Sequence, residues 1–444
     1  MPMPKPIWIA WLLALGAVAQ QAAPSLDELL KKSYLDLAAL APKLELPRKT
    51  IDDYRKQVEA RKKEDVDALD AERKQHQAEL DDLHHQLDEL NRSANTDDAA
   101  MKKRRDDLHC KLRLAESDLR DTRAQRSISV PAAHDHRLTK LEILAQWPAK
   151  KKEIDDAIAA GKARARHWGD IDDIGYRKLG EGQERDVKLG EDAVNELRAY
   201  RLLPPEVDSR PIADYVRDLA ERVAAASDLK VPVRTAVLDS DEINAFGLPG
   251  GRLFVTVGLI HRTANEAELA GVMCHEIAHI AARHGERLTR PTGNMRNLLL
   301  QGATMAADAF TFGAVGQARS AARNYLGLGA HLNLSLLGVN RETEGEAGQL
   351  GTQYLWKAGY DERGFVRFYD RMASEEDRGV TASFFRTHPP AVERALVTLS
   401  ELEYLPKQTR PRTNSERFVR TRALAEAWLK LHTRAPVKAE CAGE

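Results

Sequence analysis

His275-Glu276-Ile277-Ala278-His279 lies in an apolar run that begins at Leu269-Ala270-Gly271-Val272-Met273-Cys274 and continues through Ile280 and Ala281. An α-helix turns about 100° per residue, so positions four apart return to within roughly 40° of each other. His275 and His279 therefore share one face, with Glu276 on its flank. Two imidazoles one turn apart suit Zn²⁺ at about 2.0–2.1 Å, and the carboxylate beside them is placed to take a proton from a water at the same spot. A buried glutamate flanked by two histidines is costly unless something compensates, and a metal ion would. On a continued helix His284 falls about 160° from the two ligand candidates. It reads as a polar residue of the last turn, with Gly285 as helix stop. Catalytic zinc commonly takes three protein ligands and leaves a fourth position to water, so a third donor must come from elsewhere.

The chain has 444 residues, long enough for two or three units. Lys+Arg of 67 against Asp+Glu of 68 leaves a net charge near zero, so nothing in the balance points to a nucleic-acid partner. Met1–Pro6 carry one lysine, Ile7–Leu15 are apolar, and Ala17-Val18-Ala19 gives an A-x-A pattern before Gln20. This reads as a signal peptide over residues 1–19 and predicts export to the periplasm. With three cysteines, an odd number, not all can pair within one chain. Cys274 is expected to pack as a small apolar residue, while Cys110 and Cys441 are candidates for an internal bridge or an intermolecular one.

From residue 20 to 130 the sequence is highly charged, with Val66, Leu69, Leu80, Leu83, Leu87 and Leu90, then Met101, Leu108, Leu112, Ala115, Leu119 and Thr122, at alternating a and d positions. The polar stretch Asn91 to Asp98 between them is rich in turn residues, which predicts an antiparallel coiled-coil hairpin, a spacer or a protein-contact arm. Val130-Pro131 is expected to end it, and residues 131–185 read as a connector. Residues 186–405 form the next unit. Its helices at Leu189–Leu203 and Pro211–Ala226 precede β-rich stretches at Val231–Leu238, Ile243–Gly247 and Arg252–Val257, with Leu248-Pro249-Gly250-Gly251 as a turn. Thr263 with Glu266 reads as a capping box opening the metal helix. The strands predict a small antiparallel sheet whose Gly250–Val257 edge, with Asn244, Gly250, Gly251, Phe254 and Val255, would bind an extended peptide by strand addition. Leu298–Ala318 is apolar and rich in small residues, and reads as a core helix in preference to a cover over the active site. Residues 406–444 read as a basic tail with a helix near Phe418–Leu431.

Four stretches in order carry a family resemblance: Asn244-Ala245-Phe246 with Pro249-Gly250-Gly251; the metal helix with Arg283-His284-Gly285; Arg341 with Glu344 and Ala347; and Thr387-His388-Pro389-Pro390 with Arg394. Over roughly residues 189–405 the chain resembles the HtpX and CAAX prenyl endopeptidase family of gluzincin zinc metallopeptidases, in its exported, BepA- and LoiP-like branch. The resemblance implies a zinc endopeptidase acting on misfolded or unassembled envelope proteins, one Zn²⁺ per chain, and Glu344 as third ligand beside His275 and His279. Glu346 points about 200° from Glu344 on a helix and is the weaker candidate. Gly348 stands where the family has an aspartate that orients a ligand histidine, a partner whose loss typically costs about 10–100-fold in affinity or activity. His388 has two open readings, a turn residue or a group that approaches the zinc as latch or transition-state donor.

The fold expected is mainly α, of α+β class: a coiled-coil hairpin followed by a zincin-like domain with a small sheet. Glu276 is the expected general base. Partners expected are protein or peptide substrates, envelope assembly proteins on the arm, and peripheral membrane contact. The rival reading is a metal-binding or inactive pseudoprotease serving as chaperone or scaffold, which Gly348 favours.

Overall fold

A computed structural model describes residues 24–44, 46–93, 99–164, 166–199, 203–285, 341–374, 388 and 392–432. The expected signal peptide, the Leu298–Ala318 helix and Cys441 lie outside them. Cys274 is a free, buried thiol, and Cys110 is held in a disulfide.

Two short helices, α1 (Leu26–Leu30) and α2 (Tyr34–Leu44), lead into the long α3 (Arg48–Ser93), which pairs with α4 (Ala99–Ala124). The two run antiparallel, since Arg126 grips Asp70 through Nε at 2.7 Å and a terminal nitrogen at 2.9 Å, while Arg123 reaches Gln77 at 3.1 Å. The predicted seam forms: Leu69, Leu83, Leu90, Leu108, Leu112, Ala115 and Leu119 are buried. Leu80, Leu87 and Met101 pack on it half-buried. Its distal part is a separate small cluster from the main core.

The expected break at Val130-Pro131 does not occur. The helix runs on through a wide π-turn, Gln125–Ser129, into α5 (Val130–Ala159). Proline clashes with the carbonyl four residues back in a regular helix, and the wider turn, with Val130 N–H bonded to Gln125 O, sits where that clash would arise. Much of the expected connector is therefore core. Leu141, Ile143, Leu144, Trp147 and Ile154 of α5 are buried in the main cluster, against α2, α3 and two later helices, Gly364–Ser374 and Val392–Tyr404.

After α6 (Gln183–Ala199) and α7 (Arg210–Ala225) come β1 (Arg234–Leu238), β2 (Ala245–Leu248) and β3 (Arg252–Thr256). The sheet is mixed, not wholly antiparallel as expected: the order is β1-β3-β2, with β1 parallel and β2 antiparallel to β3. Strand β3 is thus central, which overturns its reading as a binding edge. Helices α8 (Val257–Arg262) and α9 (Glu266–Ala281) follow, then α10 (Arg341–Lys357), α11 (Gly364–Ser374), α12 (Val392–Tyr404) and α13 (Glu416–His432). Asn265, not Thr263, caps α9, its side chain accepting from the Glu268 N–H at 3.0 Å.

Candidate metal centre

Helix α9 is buried on every side except at His279, because α7, α10, α11 and β2 all pack on it. Small residues allow the closest approaches. A Cβ on Gly351 of α10 would lie 3.0 Å from the His275 Cα, and one on Gly247 of β2 would lie 2.6 Å from Ile280 and 3.1 Å from the Glu276 carbonyl. These contacts set α10 against His275 and β2 against Glu276 and Ile280.

The side chains of His275, His279 and Glu344 converge there. His275 Nε2 and His279 Nε2 are 3.1 Å apart, His279 Nε2 is 3.2 Å from Glu344 Oε1, and His275 Nε2 is 3.5 Å from Glu344 Oε2. Tetrahedral bonds of about 2.0–2.1 Å set donor atoms about 3.3 Å apart. The triangle therefore has the size that zinc requires, and two imidazoles with one carboxylate are zinc's usual donors. His388 joins the group, and donor atoms of all four residues lie within 4.8 Å of one another. Of its two open readings, the structure brings it to the cluster: Nδ1 is 3.3 Å from Glu344 Oε1 and Nε2 is 3.2 Å from Glu276 Oε1.

Charge at the centre is balanced by position. Burial alone would raise the Glu344 carboxyl, but His388 and Arg394 hold it well below its ordinary range. Arg394 bonds Glu344 directly and lies over the Tyr369 ring, 4.0 Å from its centroid. Burial likewise opposes ionisation of Glu276, and His388 and the two other histidines outweigh it, so Glu276 stays a carboxylate. Burial lowers His275 to about 4, keeping it neutral with a lone pair to give. Burial works against protonating His388 too, yet Glu276 and Glu344 raise it to about 9. Phe365 of α11 stacks on His275, 4.5 Å between ring centres at 15°.

A cavity of about 50 Å³ opens over Glu276, His279 and His388, walled by Phe246, Gly247, Leu248 and Pro249. None of Asn244, Gly250, Gly251, Phe254 and Val255, the expected substrate residues, lines it. Gly250 and Gly251 instead turn the chain at φ 75° and 84°, close to the backbones of Val187 and Pro232. Phe254 and Val255 are buried in the central strand.

Sequence reasoning missed His284. The helix stops at Ala281 and Arg283 adopts φ 57°, held by a fork of hydrogen bonds to Asp186 at 2.6 and 2.7 Å. This left-handed residue swings His284 back, so that its Nδ1 lies 2.7 Å from His279 Nδ1. Its Nε2 lies 3.1 Å from Glu346 Oε2. By contrast, His275 Nδ1 has no hydrogen-bond partner among the described residues. A Cβ at Gly348 would face Thr398 Oγ1 at 3.0 Å and the Arg394 stem at 3.5 Å.

A profile described as Peptidase family M48 matches residues 210–402, the span that holds His275, Glu276, His279, His284, Glu344, Glu346, His388 and Arg394. This stretch is a peptidase family M48 domain. Curated relatives agree. The chain is 29% identical over 195 residues to the beta-barrel assembly-enhancing protease of Escherichia coli K12, covering 44% of this chain and 38% of that one. It is 28% identical over 256 residues to the mitochondrial metalloendopeptidase OMA1 of Schizosaccharomyces pombe, 55% and 68% of the two chains. It is 30% identical over 164 residues to the metalloprotease YcaL of E. coli, 37% and 60%. The match spans 36% to 41% of the length of the bacterial assembly-enhancing relatives.

Proposed function

We propose that the chain is a zinc-dependent metalloendopeptidase of the cell envelope, with one zinc held by His275, His279 and Glu344 and with misfolded or unassembled envelope proteins as substrates. The observation that carries this reading is the donor triangle, with edges of 3.1, 3.2 and 3.5 Å and the buried Glu276 carboxylate beside it, lining the same small cavity. The envelope setting draws support from the relatives named for β-barrel assembly and from the apolar Ile7–Leu15 segment. No described helix is long and apolar enough to cross a membrane. Assembly proteins contacting the hairpin, and peripheral membrane contact, belong to the same proposal.

When bound, zinc supplies Lewis-acid polarisation of a carbonyl and makes a water more acidic. The rest falls to the chain's own groups. Glu276, ionised and at the cleft, accepts the proton of the attacking water and returns it to the leaving amine. His388, protonated between Glu276 and Glu344, is placed to donate to an oxyanion once substrate displaces it from them. Arg394 fixes the Glu344 carboxylate. Substrate lies along β2, the strand that walls the cleft.

The test is metal content and cleavage of casein by the purified chain, beside Glu276→Gln. Zinc near one per chain is expected in both, with cleavage reduced about 10²–10⁴-fold in the variant. Cleavage that persists in Glu276→Gln would rule out this general base. Full zinc with no Glu276-dependent cleavage in either protein would instead support a metal-binding pseudoprotease acting as scaffold, the reading that Gly348 and a His275 Nδ1 with no partner among the described residues favour.

A further inference from the structure

We propose that His284 and Glu346 form a relay that positions the metal ligand His279, so that this centre carries its carboxylate–imidazole support on the second histidine of the motif. The inference rests on the zinc reading above and adds two positioning residues to it.

The argument is one of proton counting. His279 Nδ1 and His284 Nδ1 are 2.7 Å apart, a hydrogen bond that holds one proton between two ring nitrogens. His284 Nε2 faces a Glu346 oxygen at 3.1 Å, and an ionised carboxylate only accepts, so Nε2 carries the His284 proton. Nδ1 of His284 is then the acceptor, and His279 Nδ1–H the donor. That leaves the lone pair of His279 on Nε2, the atom that faces His275 and Glu344 across 3.1 and 3.2 Å. Each link fixes the next, from Glu346 to His284 to the tautomer and ring angle of His279. All members are buried except His279, which keeps slight exposure at 11%.

The other histidine has no such support, because His275 Nδ1 is unpartnered among the described residues. Position 348, on the helix that carries Glu344, is glycine, so no carboxylate reaches His275 from there; a Cβ at that position would face Thr398 and Arg394. Orientation of His275 comes instead from the stacked Phe365 ring and the close backbone of Gly351. The chain's geometry is anchored in Arg283, whose left-handed backbone and fork to Asp186 hold His284 in place.

The experiment measures zinc affinity by chelator competition, alongside Tm of the metal-free protein, for wild type, His284→Phe, His284→Asn and Glu346→Gln. His284→Phe keeps a ring but removes the acceptor, and zinc binding is expected to weaken about 10–100-fold. His284→Asn places a carbonyl oxygen where Nδ1 stood and is expected to recover most of that loss. Glu346→Gln should fall between wild type and His284→Phe. Metal-free Tm should stay within about 2 °C of wild type throughout. Zinc bound by His284→Phe within twofold of wild type overturns the relay alone. Losses that track a fall in metal-free Tm, with no rescue by asparagine, also overturn it in favour of a packing role. A wild-type protein that binds no zinc overturns the relay and the metal reading together.

Discussion

Glu401 of α12 shows how a single buried charge records the way this domain is tied together. It accepts from Gln353 of α10 at 2.9 Å and pairs with Arg166, from the segment before α6, at 3.3 Å. Burial raises its carboxyl to about 7, with Arg166 opposing the rise only in part. The unfolded chain gives it the ordinary value near 4.5, so between about pH 4.5 and 7 the folded protein holds a proton that the unfolded one releases. Its stabilising contribution is thus full below pH 4.5, lost as pH rises through 7, and absent above. Glu401→Gln, neutral at every pH, should gain Tm relative to wild type at pH 8 and lose that advantage at pH 4.5, a swing on the order of 1–3 kcal/mol. A pH-independent Tm difference would show that the carboxyl titrates normally. At this scale the shared face of His275 and His279, with Glu276 on its flank, is legible from helical spacing, whereas Glu344 is reached only through the family resemblance of its helix. His284 is not legible, because its place depends on a positive φ at Arg283, a non-glycine residue that spacing treats as one more helical step. His388 was open for a similar reason: its approach to Glu276 is set by tertiary return of the chain, not by any local period.

Elements came through with their types right and two relations misread. The strands at 234–238, 245–248 and 252–256 lie within or beside the stretches that alternation marks, but alternation says nothing of order. Pairing β1 to β3 in parallel leaves β2 outermost, and it is β2 that walls the cleft. Its hydrogen-bond phase can be worked out. The Thr256 N–H donates to Asn244 O at 3.1 Å, so in an antiparallel ladder Phe246 and Leu248 bond β3 in turn, while Ala245 and Gly247 turn their main-chain groups outward. Ala245→Pro removes an outward N–H and leaves the ladder intact, so peptide turnover should drop about tenfold or more with zinc retained. Phe246→Pro removes a ladder bond and should lower Tm instead. Equal turnover in Ala245→Pro and wild type, measured on a quenched peptide, would exclude strand addition at β2. The helix α5 is the other misread relation. A proline after a charged repeat looks like a stop, yet the π-turn at Gln125–Ser129 carries the helix past Pro131 and into the core.

The whole molecule is a catalytic body with a helical hairpin projecting from it, and the root of that hairpin is well defined. Val58 belongs to the main core, His134 meets Asp65 at 3.1 Å, Arg55 meets Glu142 at 2.6 Å, and Arg126 meets Asp70 at 2.7 Å. Beyond this root the hairpin is held by its own seam, with Leu83, Leu90, Leu108, Leu112 and Ala115 as a cluster separate from the main core. Ion pairs on its surface, such as Lys111 with Asp107 at 2.9 Å and both side chains more than half exposed, add little stability. Heptad spacing made this hairpin legible, whereas its rooting through α5 was hidden in residues that read as a connector. The two halves of the molecule should therefore be separable. Replacing residues 81–118 by a short Gly/Asn turn keeps Leu80 and Leu119 and every root contact, and removes Cys110, so Cys110→Ser is the matched control. The shortened protein should keep zinc near one per chain, a main unfolding transition within a few degrees of the control, and full Glu276-dependent cleavage of casein. If the distal arm recruits envelope assembly proteins, only their co-purification should be lost. A fall in zinc content or casein cleavage below half of the control would show that the arm acts on the catalytic centre and is more than a contact surface.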